Sequence, residues 1–274
     1  MVKIVVDSTA DLRPQIRERV DVVPLTVYFG EEEYVDGVNL SAAAFYKKLQ
    51  TAKKLPTTSQ AAPYAFAEVF EKAVDNGDDV VALVVSGALS GTCQSANIAA
   101  ADYPGRVFVV DSRSIAIGLS ILTEFALDLV DRGMSAAEIA AELEQEKNKV
   151  RLMAVVDTLE FLQRGGRVSK TVAIAGGMLS VKPIIALEDG VIKMAGKARG
   201  NKQANAQMDA MVLKVGIDYD KPCMLGYTGT SDELLCKYRA QSEVWTGDVF
   251  GNIVSGVVGT HAGPGAVAVA FFSK

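Results

Sequence analysis

The sequence predicts an α/β fold in two domains, residues 1–150 with a mostly parallel sheet and flanking helices, and residues 151–274 forming a second α/β domain. Three observations carry this reading. Short β-branched runs alternate with helical patterns, as in sheets whose strands are joined through covering helices. The runs Ile4 to Val6, Val80 to Val85 and Val107 to Val110 are continuously apolar rather than alternating, which marks strands buried on both faces. Each is followed by a polar turn, so Asp7-Ser8-Thr9, Ser86 to Thr92 and Asp111 to Ser114 lie beyond the carboxyl ends of parallel strands, where open α/β sheets bind ligands.

Helices are expected at about 41–52, 63–76, 91–101, 114–132 and 135–149, the last opened by the capping box Ser135-Ala-Ala-Glu138. The first half is thus doubly wound. Beyond Val150 the texture changes. Leu152 to Val156 reads as a strand and Thr158 to Gln163 as a short helix, followed by Arg164-Gly165-Gly166-Arg167. Asp189-Gly190 between apolar runs predicts a hairpin with a two-residue turn. A helix at 202–215, a strand at 223–227, a helix from the capping box Thr230-Ser-Asp-Glu233 and a last strand at 266–272 complete the chain. No internal repeat or low-complexity tract interrupts it.

Composition narrows the function. A chain of 274 residues, 49% apolar and 22% charged, is globular rather than disordered. Its 28 Lys and Arg against 33 Asp and Glu give a charge of −5, with no general attraction to nucleic acid. His261 stands alone, and Cys93, Cys223 and Cys236 form no CxxC pair, which excludes the usual zinc patterns and points to a reducing compartment. Met1 to Asp7 is a strand ending in an acid and not a signal peptide. The apolar stretch Val172 to Leu187 is broken by two glycines, Lys182 and Pro183, short of the roughly 20 residues that span a bilayer. A soluble, cytoplasmic protein is expected.

Four loops could carry chemistry. Pro56-Thr57-Thr58-Ser59-Gln60 offers hydroxyls and an amide, either to cap the helix near Pro63 or to bond a ligand oxygen. Ser86-Gly87-Ala88-Leu89-Ser90-Gly91-Thr92 sets hydroxyls and backbone amides at a helix start, suited equally to capping and to an anion, and is neither a P-loop nor a nucleophile elbow. Gly259-Thr260-His261-Ala262-Gly263-Pro264-Gly265 places the imidazole in a backbone-dominated loop, where it serves structure or exchanges a proton with a carboxylate. Arg164 and Arg167 flank two glycines and are joined by Arg199 in the second half; such arginines can fork onto phosphate or carboxylate, or lie in a solvated turn.

Taken in order, KIVVDSTADL, VPLTVYF, PTTSQ, SGALSGTCQSA, VVDSRS, LEFLQRGGRVS and THAGPGAVAVAF resemble the DegV family of bacterial fatty-acid-binding proteins. The resemblance runs from Met1 to the last strand. It implies a long-chain fatty acid buried between two α/β domains and presented to a separate ATP-dependent fatty-acid kinase that forms the acyl phosphate. Carried over by position, it implies that Thr58 and Ser90 hold the carboxylate with His261 nearby. Arg164, Arg167 and Arg199 then fall on the basic head-group region that engages the kinase. The family commonly has Pro directly after TSQ, whereas Ala61 and Ala62 precede Pro63 here, which alters the path of that loop.

At about 0.8 kcal/mol per buried methylene, a tail of about 15 methylenes gains on the order of 12 kcal/mol before ordering losses. The head then needs orientation more than a full counter-charge. Ile98, Ile115, Ile117, Leu119, Leu122, Phe125, Phe161, Met178 and Leu179 have patterns suited to a tunnel wall, although helical spacing does not separate a wall from a packed core. The chain carries no Walker lysine, kinase catalytic loop or acidic magnesium cluster, so it is expected to be a carrier without a cofactor and not an enzyme. Peripheral contact with a membrane for lipid exchange is compatible with this role. Two rival readings remain at this point: a hydrolase or phosphoryl-transfer enzyme using Ser90 and His261 with Asp7 or Asp111 as orienter, and a nucleotide-binding module at the strand ends.

Overall fold

The computed structural model describes residues 1–169, 180–245 and 249–274. The chain opens with β1 (Val2–Asp7), the short helix α1 (Pro14–Arg17), β2 (Asp21–Val23), β3 (Thr26–Phe29) and β4 (Glu32–Val35). There follow α2 (Ala42–Thr51), β5 (Thr57–Ser59), α3 (Pro63–Asp75), β6 (Asp79–Val84), α4 (Thr92–Ala100), β7 (Val107–Asp111), α5 (Ala116–Asp131) and α6 (Ala136–Glu146). The remainder comprises β8 (Val150–Val155), α7 (Glu160–Arg164), β9 (Val181–Glu188), β10 (Val191–Arg199), α8 (Gly200–Val215), β11 (Met224–Tyr227), α9 (Glu233–Gln241), β12 (Gly251–Ile253), α10 (Gly256–Ala262) and β13 (Val267–Phe272).

The continuously apolar strands pair as their composition requires. β2, β1, β6 and β7 form an all-parallel sheet in that order. The chain runs outward from β1 to β2 and returns to the other side at β6, so the topological switch point lies between the ends of β1 and β6. Buried Asp7 fixes this junction by accepting hydrogen bonds from Thr9 N at 2.9 Å, Thr9 Oγ1 at 2.6 Å and Val85 N at 2.6 Å.

The second sheet differs from the parallel pattern. Its order is β10-β9-β8-β13-β11-β12, and only β11 and β12 run parallel. The two-residue link Asp189-Gly190, with φ of 52° and 78°, admits only an antiparallel pair. A small antiparallel sheet, β4-β3-β5, was not visible in the apolar pattern because β5 is Thr57-Thr58-Ser59. The helix expected from a Thr230 capping box instead begins at Glu233, whose N–H donates to Ser231 Oγ at 3.2 Å, while Thr230 Oγ1 accepts from Gln50 Nε2 at 3.2 Å. The Ser135 capping box forms as read.

The four-stranded sheet draws on strands before residue 150 and the six-stranded sheet on strands after it, yet the two share a core. α5 is apolar nearly all round and is packed by β1 and β6 on one side and by β8, β11 and β13 on the other. One cluster therefore joins Ile4 and Leu83, the α5 residues Ile117, Leu119 and Ile121, and Met224 and Phe272. Burial of that kind drives the association of the layers.

Candidate functional site

Beside this shared core, between the parallel sheet's carboxyl ends and the inner face of the six-stranded sheet, lies a cavity of about 360 Å³. That is a ligand-sized space. Its walls are mostly aliphatic: Leu25, Val85 and Leu89 from the first half, Ile115 and Ala116 at the start of α5, and Leu152, Ala154, Ile185, Leu187, Ile192 and Ala268 from the second sheet. Period-two alternation along β8 and β13 turns Leu152, Ala154, Ala266 and Ala268 toward it. Cross-strand register sets Ala268 directly opposite Ala154, so the wall is thinned to methyl groups there.

The polar lining consists of Thr9, Thr58, Ser59, Gln60, Ser90, Thr228, Arg167 and His261. Thr58 sits in β5, held opposite Val27 of β3. Ser90 lies in the turn closed by Leu89 N and Ser90 N donating to Ser86 O at 2.9 and 3.1 Å, directly before α4. Its Oγ accepts from Thr92 N at 3.3 Å and shares a 2.9 Å hydrogen bond with Thr92 Oγ1, which in turn accepts from Ala61 N at 3.4 Å.

His261 is in the last turn of α10 rather than in a loop. α10 carries glycines at 256 and 259, and at Gly259 a Cβ would collide with Phe45 and Tyr46 of α2, so the absent side chain permits the close helix contact that holds the imidazole in place. Two buried acids fix the other end: Asp11 Oδ1 accepts from Ser255 N at 2.7 Å and Asp36 Oδ1 from Gly256 N at 3.2 Å. Burial raises both carboxyls, Asp36 to about 6.

His261 Nε2 and Thr58 Oγ1 are hydrogen-bonded at 2.9 Å. Nδ1 is buried with no hydrogen-bond partner and faces Gly165, where a Cβ would overlap it. Burial, reinforced by the charge of Arg167, lowers the imidazole pKa to about 4, so it is neutral at physiological pH. The hydrolase arrangement is not assembled in this geometry. Ser90 is engaged with Thr92 and not with His261, Asp7 is occupied by Thr9 and Val85, and Asp111 accepts from Gly87 N and Arg113 N. Among the described residues no carboxylate orients the imidazole, and no cluster of His, Cys, Asp and Glu is arranged to hold a metal.

The three arginines separate. Arg167 is half-buried in the cavity wall, donating from Nε to Leu89 O at 3.2 Å and from Nη1 to Gly165 O at 2.6 Å, so the polar region includes a guanidinium and not hydroxyls alone. Arg164 is exposed, paired with Glu160 at 2.7 Å, beside Lys53 and Lys54. Arg199 is exposed at the junction of β10 and α8, outside the cavity lining. Of the residues suited to a tunnel wall, Ile115 lines the cavity. Ile117, Leu119, Leu122 and Phe125 belong to the shared core, because α5 turns them onto the sheets. Ile98 is 56% exposed on α4, and Phe161 lines separate surface clefts beneath Gly263. Met178 and Leu179 lie outside the described residues. No residue pattern signals Thr92 as the support of Ser90, Gly165 as the space beside the imidazole, or the alanine pair at 154 and 268.

A family model described as "Uncharacterised protein, DegV family COG1307" matches residues 1–274. A DegV domain-containing protein of Deinococcus radiodurans is 36% identical over 273 residues, covering 98% of this chain and 97% of the relative. The fold is similar to a solved fatty-acid-binding DegV family protein from Thermus thermophilus, at a TM-score of 0.89 and 32% identity, covering 100% of this chain and 99% of that one. It is also similar to a DegV family protein from Eubacterium eligens loaded with heptadecanoic acid, at a TM-score of 0.87 and 25% identity, with 100% of both chains covered.

Proposed function

The chain belongs to the DegV family, and from that premise we propose that it binds a long-chain fatty acid in the cavity between its two lobes, 1–150 and 151–274. The observation that carries this reading is the mostly aliphatic cavity of about 360 Å³ whose few polar lining residues include Thr58, Ser90 and His261. Related DegV proteins hold fatty acids, heptadecanoic acid in the one from Eubacterium eligens.

The tail supplies affinity by leaving water, at about 0.8 kcal/mol per methylene. The head is positioned by two hydroxyls. Thr92 Oγ1 already accepts from Ala61 N, so its own hydrogen is available to Ser90 Oγ and the Ser90 hydrogen points to the carboxylate. Neutral His261, protonated on Nε2, donates to Thr58 Oγ1 and leaves the Thr58 hydrogen for the other oxygen. The Arg167 guanidinium offsets the carboxylate's charge from within the wall.

On this reading the protein is a cofactor-free cytoplasmic carrier and not an enzyme. It presents the acid to a separate ATP-dependent fatty-acid kinase, which forms the acyl phosphate and docks over the region of Arg164, Arg167 and Arg199. Among the described residues no helix is long and apolar enough to cross a membrane, so lipid exchange would rely on peripheral contact. Denaturing extraction of the purified protein followed by mass spectrometry tests the proposal. A fatty acid at near-stoichiometric amount is expected. Protein that carries none and takes up none when offered palmitate refutes it, as does turnover of an acyl ester by the isolated chain.

A further inference from the structure

The hairpin of β9 and β10 runs past the strand that supports it. β8 pairs with β9 through Val155 opposite Ile184, Ala154 opposite Ile185 and Met153 opposite Ala186, so residues 187–192 project beyond that ladder. In this projecting tip Leu187 and Ile192 stand opposite each other and line the acyl cavity. The next residue on each strand, Glu188 and Lys193, is exposed, and the two pair at 3.2 Å. Alternation therefore makes the tip a wall one residue thick, with the cavity behind it. A two-stranded ribbon is marginally stable without further support.

That support comes from the other half of the chain. Ser86 Oγ donates to Gly190 O at 2.7 Å, joining positions 104 residues apart. Gly190 is buried, and a Cβ there would lie 2.5 Å from Ser86 Oγ and 3.6 Å from Arg113 Cβ, so glycine lets the tip rest on the turns after β6 and β7. The root of the hairpin is fixed differently. At Gly196 a Cβ would meet Gln207 and Met211 of α8 at 2.8 and 3.0 Å, a close clasp of strand and helix. Between root and tip the register slips: Met194 pairs with Ile185 and Gly196 with Ile184, which leaves Ala195 unpaired in a bulge that bends the strand.

A clasped root, a bulge, an overhanging tip and a hydrogen-bonded catch are the parts of a flap. We propose that residues 187–192 gate the acyl cavity, bending about the bulge at Ala195 when the bond between Ser86 and Gly190 opens. This inference rests on the acyl-binding reading and adds to it the route of entry and exit. The shared core is not disturbed by such a motion, because α5 is packed by β1, β6, β8, β11 and β13 and not by the tip. Local opening of a segment held by few contacts is far less costly than parting the lobes.

The test locks the flap and then weakens its catch. In Arg113→Cys/Gly190→Cys the Cβ separation of 3.6 Å suits a disulfide, whose Cβ atoms lie roughly 3.5–4.5 Å apart. The positive φ at position 190 strains any side chain there, so the reduced double variant is the reference for the oxidised one, with peptide mapping to verify the bond. Release of a fluorescent fatty acid into excess unlabelled palmitate is followed by stopped flow. The oxidised protein should release it at least tenfold more slowly than the reduced protein, and dithiothreitol should restore the rate. Ser86→Ala, which needs no bond to close, should speed uptake and release alike by about fivefold, the usual worth of one hydrogen bond. Equal release from the oxidised and reduced forms overturns the inference, as does a Ser86→Ala protein with parental rates or with release alone accelerated. A parent chain that takes up no fatty acid at equilibrium overturns the acyl-binding reading and the gate together, whereas normal uptake with unaltered rates overturns the gate alone.

Discussion

Replacing Ala268 with leucine probes the acyl cavity through its thinnest wall. Ala268 on β13 faces Ala154 on β8, and both methyls border the cavity, so the three added carbons of leucine project into the space proposed for the acyl tail. Displacing about three methylenes of tail, at about 0.8 kcal/mol each, costs about 2.4 kcal/mol, or roughly 60-fold in Kd for an acid that fills the cavity. An acid about three carbons shorter should bind the variant almost as it binds the parent. The same change two residues along gives the control. Ala270 is fully buried in the shared core beside α5, where extra carbons have no room and overpacking costs about 1–3 kcal/mol of stability. The assay is displacement of a fluorescent fatty acid by a series of chain lengths, with thermal melts of the lipid-free proteins. Ala268→Leu should shift the preferred length downward without lowering the melting temperature, and Ala270→Leu should lower the melting temperature without shifting the length. A folded Ala268→Leu protein with an unaltered chain-length profile refutes the placement of the tail.

The head group and its support supply the remaining predictions. Ser90→Ala and Thr58→Ala should each weaken fatty-acid binding by about 1 kcal/mol, about fivefold, with little change in denaturant midpoint; unaltered affinity in the same displacement assay removes both from the carboxylate. Gly165→Ala has an ordinary backbone conformation for alanine, φ −72°, but its Cβ overlaps His261 Nδ1, so affinity should fall while the far-ultraviolet spectrum is unchanged. Because the native pKa of His261 is near 4 and that of an unfolded histidine about 6.5, the native state binds fewer protons in this window and its stability falls as pH drops through it. Asp36, raised to about 6, acts in the opposite sense, favouring the native state below that pH and losing its contribution as pH rises through it. The comparison must therefore be made against His261→Gln: the loss of denaturation free energy between about pH 7 and about pH 4.5 should be roughly 2 kcal/mol smaller in the variant. If the proposed partner kinase docks over the arginines, Arg167→Ala and Arg199→Ala should slow its turnover and reduce its salt sensitivity, and steady-state rates equal to the parent across ionic strength would remove them from docking.

Much of the fold was legible because burial on both faces leaves a compositional trace. Ile4 to Val6 and Val80 to Val85 could be little other than central parallel strands, and Asp189-Gly190 fixed a hairpin by its backbone demands. The small sheet was hidden because Thr57-Thr58-Ser59 has no apolar residue to show a period. α10 was hidden because its glycines disfavour a helix in isolation, and the helix is held by its packing on Phe45 and Tyr46 and by Asp11 and Asp36. The cavity wall was the least legible feature. An alternating strand reads the same whether its inner face meets packed side chains or a space, and Ala154 differs from Ala270 only in what lies across from it.

The double duty of α5 constrains how a guest comes and goes. A molecule whose halves met only at a cleft could swing open on a hinge like a book, but here the spine of the book is also its filling. Parting the covers would strip Ile117, Leu119 and Ile121 of one side of their surroundings and flood the shared interior. A guest of the proposed kind would therefore have to enter and leave without parting the two sheets from α5.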